Sequence, residues 1–212
     1  GNEWRQFTYI SDIQNSPSSR GRAVFTTNAG GNRLDFVNIP TLGNAVAFGA
    51  LTNGNRQFGC ASETRGLWAG GYNPSATNEI TYITIASEGD SIDFGDLNVA
   101  RRAAGASSSS TRGVWFGGYS PSGGGSSNRT NVIQYVEIQT LGNGLDFGDL
   151  MNNSVSNAAA ASPTRSIFSG GYTLSASIGR YEVITTASTG NSVRFGDMLV
   201  PRARHAGCSN ST

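Results

Sequence analysis

Lysine is absent from this chain of 212 residues: all 15 basic side chains are arginine. That removes the phosphate loop that depends on a lysine, the Schiff-base lysine and the lysine nucleophile. His205 is the single histidine, whereas multi-histidine zinc, copper and non-haem iron sites need two or three imidazoles. Two cysteines, Cys60 and Cys208, are too few for a zinc cluster or an iron–sulfur site. Charge is scarce as well. Charged residues make up 14%, and the net charge is +1. Without clustered cations to neutralise phosphates, no nucleic-acid partner is expected. No apolar run approaches the ~20 residues of a membrane helix, and no charged-then-apolar leader opens the chain, so no membrane partner is expected either. No Asp-x-Asp-x-Asp loop suggests calcium, and the expectation is no metal and no cofactor.

Small residues are plentiful instead. The 29 glycines are about twice ordinary usage, and the apolar residues arrive in regular short groups. Internal repetition organises the chain. Phe-Gly-Asp recurs at Phe94-Gly95-Asp96, Phe147-Gly148-Asp149 and Phe195-Gly196-Asp197, with a weaker Phe48-Gly49-Ala50. Gly-Gly-Tyr recurs at Gly70-Gly71-Tyr72, Gly117-Gly118-Tyr119 and Gly170-Gly171-Tyr172. Thr-Arg recurs at Thr64, Thr111 and Thr164. The three motifs keep one order and a period near 50 residues: Gly-Gly pairs lie 47 and 53 apart.

Each period reads as four short strands. The first is built of small residues (Phe58–Ala61, Ala104–Ser107, Ala158–Ala161, Ala206–Ser209), and the second is bulky and closed by the glycine pair. The third is β-branched and aromatic, and the fourth alternates apolar and polar residues up to Phe-Gly-Asp. Such strands between Gly/Asn/Ser turns predict antiparallel meanders. No segment sustains a 3.6-residue period, so no helix is expected. A narrow inner strand followed by wide outer ones fits a wedge-shaped sheet fanning from an axis. The expected fold is therefore all-β, a β-propeller of about four to five four-stranded blades in one repeat domain spanning residues 1–212. Residues 1–50 form a degenerate repeat, 51–97, 98–150 and 151–198 clear ones, and 199–212 a partial one.

The order Arg, small-residue strand, apolar strand closed by Gly-Gly, Tyr-bearing strand and aromatic outer strand resembles the Kelch repeat family from Leu51 to Thr212. It departs from that pattern where Phe of Phe-Gly-Asp stands in place of Trp. The Phe-Gly-Asp-Leu and Thr-Arg-Gly-Val variants resemble repeats of virion and tail proteins of marine phages. That resemblance implies an extracellular or virion location and a structural or adhesive role, as in a phage tail fibre.

Strand counting leaves the ends open. Trp4 to Ile10 reads as a fourth strand, and Arg202 to Ser209 as a first strand, with nothing between them to complete a blade. Self-association, or a contact with other virion or surface proteins, is the expected consequence. The Phe residues at 94, 147 and 195 are expected to be buried between blades. The repeated Asp96, Asp149 and Asp197 and Arg65, Arg112 and Arg165 read as turn caps and blade-to-blade ion pairs, since catalysis seldom needs one residue in every blade. Cys60 and Cys208 occupy one slot of the repeat and read as small buried residues, and His205 as a structural histidine.

Function is expected in the loops between second and third strands, which vary while the strands repeat. The candidate ligand-binding residues are Tyr72, Asn73, Tyr119, Asn128, Arg129, Tyr172 and Arg180, with the tyrosines as rings on which a sugar stacks. Three sequons, at Asn128, Asn152 and Asn210, are candidate glycosylation sites. The leading expectation is a module that is not an enzyme and that binds proteins or surface glycans. The alternatives are a glycan-active or oxidase-type enzyme on a Kelch-like propeller, opposed by the single histidine and by the lack of a distinct carboxylate pair, and an intracellular Kelch interaction module.

Overall fold

The computed structural model describes residues 21–27, 32–53, 56–121 and 128–209. Within these residues the chain forms strands and no helix. Four antiparallel sheets succeed one another along the sequence. Sheet I consists of β1 (Arg22–Thr27), β2 (Arg33–Asn38) and β3 (Val46–Ala50). Sheet II holds β4 (Phe58–Ala61), β5 (Arg65–Ala69), β6 (Thr77–Thr84) and β7 (Ile92–Arg101). Sheet III holds β8 (Gly105–Ser108), β9 (Arg112–Phe116), β10 (Val132–Glu137) and β11 (Leu145–Asp149). Sheet IV holds β12 (Ala158–Ala161), β13 (Arg165–Ser169), β14 (Arg180–Thr185) and β15 (Val193–Asp197). Every sheet is a meander of sequential neighbours, as the turn spacing predicts. The expected strand Trp4–Ile10 lies outside the described residues.

The small residues of the first strands have a local cause. A side-chain carbon on Gly59 would stand 2.9 Å from Nε1 of Trp68 on the adjacent strand, and one on Gly105 would enter the Phe116 ring. The large ring of the second strand lies against the first at these two positions, so only glycine fits beside it. Both faces of β5 and β9 are buried, because sheets II and III are each covered on two sides. This is why Gly113-Val114-Trp115-Phe116 reads as a run and not as an alternation.

Phe-Gly-Asp marks a β-bulge. Ile80 opposes Gly95 while Thr81 opposes Asp93, leaving Phe94 as the extra residue. The same shift occurs between Leu34 and Asp35, Ile133 and Gln134, and Tyr181 and Glu182. A bulge re-aims the side chain it releases. Here the released phenylalanine enters the contact with the adjoining sheet. Phe48 joins Leu34, Phe36, Trp68 and Ile83; Phe94 joins Leu67, Trp115, Val136 and Ile138; Phe147 joins Val114, Ile133, Phe168 and Ile184. Three cores of similar make-up thus lie between consecutive sheets, each contributing about 1.5–3 kcal/mol per buried large side chain.

The glycine of the motif lets the next sheet lie directly on the outer strand. Gly142 N–H donates to the Phe94 carbonyl (3.0 Å), Gly144 N–H to the Asp96 carbonyl (2.7 Å), and Asp96 N–H to Asn143 Oδ1 (3.0 Å). Gly89-Asp90-Ser91 binds Phe48 and Ala50 identically, and Gly190-Asn191-Ser192 binds Phe147 and Asp149. We term this three-bond contact the clasp. Arginine adds a second tie. Arg22, Arg65 and Arg112 each donate to a carbonyl of the next sheet, at Ile85, Ile138 and Thr186, over 2.9–3.1 Å. Each guanidinium also stacks on a ring of its own sheet, Phe36, Tyr82 or Tyr135, and that ring meets the motif Phe edge-on.

Three expectations need correction. Phe48, Phe94 and Phe147 are 2–3% exposed, but Phe195 is 55% exposed, because residues 202–209 cover only the first-strand end of this face of sheet IV and no described residue packs on the Phe195 end. Residues 202–209 form no strand. They nevertheless trace the path of a first strand: Arg204 takes the left-handed φ (58°) of Arg56, Ala103 and Ser156. Ser209 Oγ also bonds the Ala161 carbonyl as Ser108 Oγ bonds that of Ala61. A ladder partner is what they lack. Cys208 is accordingly exposed, whereas Cys60 is half-buried; both are free thiols, and burial pushes the Cys60 thiol up to about 12.

Candidate functional site

The second strands end in glycine pairs whose φ angles are 57–68° and then 104–120°, a left-handed step that other residues rarely take. The second glycine of each pair donates its N–H to a carbonyl at or beyond the end of a fourth strand, at Arg101, Ser154 and Arg202 (2.8–3.0 Å). The pair therefore ties the loop rim to the next repeat and delivers Tyr72, Tyr119 and Tyr172 to one end of the sheets. There each tyrosine makes isolated β-bridges to its neighbouring loop or linker.

Arginine fills the spaces between the rings. The Arg102 guanidinium lies 4.4 Å from the centre of the Tyr72 ring and 4.6 Å from that of Tyr119. Arg56 lies over Tyr72 and Arg129 over Tyr172, both at 5.6 Å. Asn128 Nδ2 donates to the Tyr119 hydroxyl at 3.2 Å. The rim so formed is Arg56–Tyr72–Arg102–Tyr119–Asn128, with Arg129–Tyr172 as a second pair. Of the residues singled out from sequence, Tyr72, Tyr119 and Asn128 come together. Asn73 is exposed in its loop. Arg180 stands apart on β14, paired with Glu182 at 3.1 Å, in a depression shared with Thr173, Arg194 and Asp197. Arg56 and Arg102 stand out in the sequence only as the arginines that open the Kelch-like repeat, immediately before the first strands, and not as binding residues. Among the sequons, Asn152 is exposed, Asn128 is half-buried with its amide engaged, and Asn210 lies outside the described residues.

A second feature lies where the first strands converge. Arg56, Gln57, Ala104, Asn157, Arg204 and His205, from four successive repeats, line one cavity of about 500 Å³. His205 Nε2 is 2.8 Å from Ser169 Oγ. Burial, and then the charge of Arg202, push its pKa below the ordinary histidine value, so the ring is neutral at pH 7. Arg101, next to the rim, is fully buried; it donates to the carbonyls of Gly117 and Val132, and burial lowers its pKa to about 10. It remains charged and serves as a structural tie between sheets II and III.

The repeated carboxylates make no shared site. Asp96 and Asp149 act in the clasp through their backbones, and Asp197 pairs with Arg194 of its own strand. Among the described residues no three His, Cys, Asp or Glu side chains cluster in a metal-binding arrangement, and no helix is long and apolar enough to cross a membrane. No protein-family model matches the chain, and no curated protein matches it significantly.

Proposed function

We propose that the chain is a β-propeller-type scaffold without enzymatic activity. In this reading it is a structural or adhesive module of a virion or an extracellular surface, and its rim loops bind proteins or surface glycans. One observation carries the reading: wherever a following sheet is present, the recurring residues are spent on joining sheet to sheet. Phe-Gly-Asp makes the bulge and clasp, Thr-Arg the carbonyl tie, and Gly-Gly the linker contact. What varies between repeats is the loop rim, a rigid frame with changeable edges.

The rim chemistry narrows the ligand. Guanidinium groups already face Tyr72 and Tyr119, so sugar stacking on those rings competes with cation–π pairs of about 0.5–2 kcal/mol. The rim instead offers Arg N–H donors and Tyr hydroxyls, which suit carboxylate-bearing sugars. A glycan array probed with the intact protein tests this. Arg102→Ala and Tyr119→Ala are expected to weaken binding to acidic glycans at least tenfold. A glycan turned over by the protein, with turnover abolished in Asp149→Asn and melting unchanged, would overturn the non-enzymatic reading.

A further inference from the structure

The chain builds one sheet-to-sheet contact three times, and it carries the two halves of a fourth at opposite ends. On sheet IV the Phe-Gly-Asp half is uncovered. Phe195 is 55% exposed, and a side-chain carbon on Gly196 would meet nothing, although on Gly95 or Gly148 it would strike the backbone of the next sheet at 2.5 Å. Arg165, at the position of Arg65 and Arg112, is exposed and reaches no further sheet within the described residues. On sheet I the hairpin half is uncovered. Phe25 occupies the position of Trp68, Trp115 and Phe168, and Ile39 that of Ile85 and Ile138; these two are 59% and 68% exposed where their counterparts are buried. Gly43-Asn44-Ala45 precedes Phe48 as Gly142-Asn143-Gly144 precedes Phe147, and Ala45 is exposed where its counterparts Gly144 and Ser192 are buried.

We infer that the occupant of each face is a second copy of this chain, docked head to tail, with Phe195-Gly196-Asp197 of one copy clasping Gly43-Asn44-Ala45 of the next. The contact repeats those inside the chain. Gly43 N–H donates to the Phe195 carbonyl, Ala45 N–H to the Asp197 carbonyl, and Asp197 N–H to the Asn44 side chain. Arg165 donates to the Ile39 carbonyl, and Phe195 packs on Phe25. Because the two surfaces differ, the contact is heterologous and propagates until a rotation closes a ring or a filament grows. This inference is independent of what the rim loops bind.

The test is a complementation by sedimentation velocity over a hundredfold concentration range. Wild type is expected to form concentration-dependent oligomers. Phe195→Arg blocks one face and Phe25→Arg the other; both sites are exposed, so circular dichroism and melting are expected to stay at wild-type values. Each variant alone is expected to be monomeric. Mixed, they regain one productive interface and stop at a 1:1 dimer. A wild type that stays monomeric, as it would if either face were covered by its own chain or needed a different protein, overturns the proposal. So does a single variant that still oligomerises, or a mixture that fails to dimerise.

Discussion

Phe147→Ala is expected to destabilise the protein by roughly 3–5 kcal/mol in denaturant unfolding, whereas Phe195→Ala is expected to change stability by less than about 1 kcal/mol. The two residues hold one position of the same motif. Phe147 is released by its bulge into a core with Phe168 and Ile184 and meets Tyr135 edge-on at 5.7 Å. Removing its ring leaves a cavity between two sheets that the backbone bonds of the clasp prevent from collapsing. Phe195 has no such surroundings, so its loss removes little burial. Equal losses at the two positions would show that burial does not depend on the next sheet.

Gly148→Val is expected to cost a similar amount, roughly 3–5 kcal/mol, by a different route. At φ +143° the backbone conformation already disfavours a side chain, and a Cβ there would stand 2.5 Å from the Gly190 backbone. The hairpin at Gly190 must then lift from the outer strand, breaking all three clasp bonds at once. Gly196→Val is the control, since open space surrounds Gly196. Its melting curve is expected to match wild type within the scatter of surface substitutions. A destabilised Gly196→Val would mean that the glycine serves its own strand and not the neighbouring sheet.

Strand order and the meander are legible in the sequence because the period-two pattern, the turn residues and the three motifs recur in register. The size gradient is legible too, and its cause is a ring lying over Gly59 and Gly105. The bulge is not. A bulged strand keeps its apolar and polar composition, and only pairing reveals that Phe94 faces no partner. Sheet I reads as degenerate because Val24-Phe25 precedes Thr26-Thr27 in place of a glycine pair, yet β1 to β3 repeat the meander and the bulge. The repeated arginines read as blade-to-blade ion pairs; Arg22 does reach Glu88 of the next sheet and Arg112 pairs with Glu137 of its own, but the tie common to all three is to the backbone carbonyls of Ile85, Ile138 and Thr186, which no sequence pattern marks. The repeat pattern marks Arg102 only as an arginine ahead of a first strand; its stacking is not legible because its partners, Tyr72 and Tyr119, belong to two different repeats. The exposure of Phe195 is likewise invisible in a motif identical to its buried copies, since burial of that ring depends on a neighbouring sheet packed against it.

Amide hydrogen exchange on the Phe195→Arg variant, measured residue by residue, tests most directly whether the repeat motif is a clasp between sheets. The amides of Gly89, Gly142 and Gly190 donate to Phe48, Phe94 and Phe147. They are expected to exchange orders of magnitude more slowly than Gly43, whose position in the repeat is the same but whose acceptor is lacking among the described residues. Fast exchange at all four glycines, or protection of Gly43 equal to that of the other three, would contradict the account.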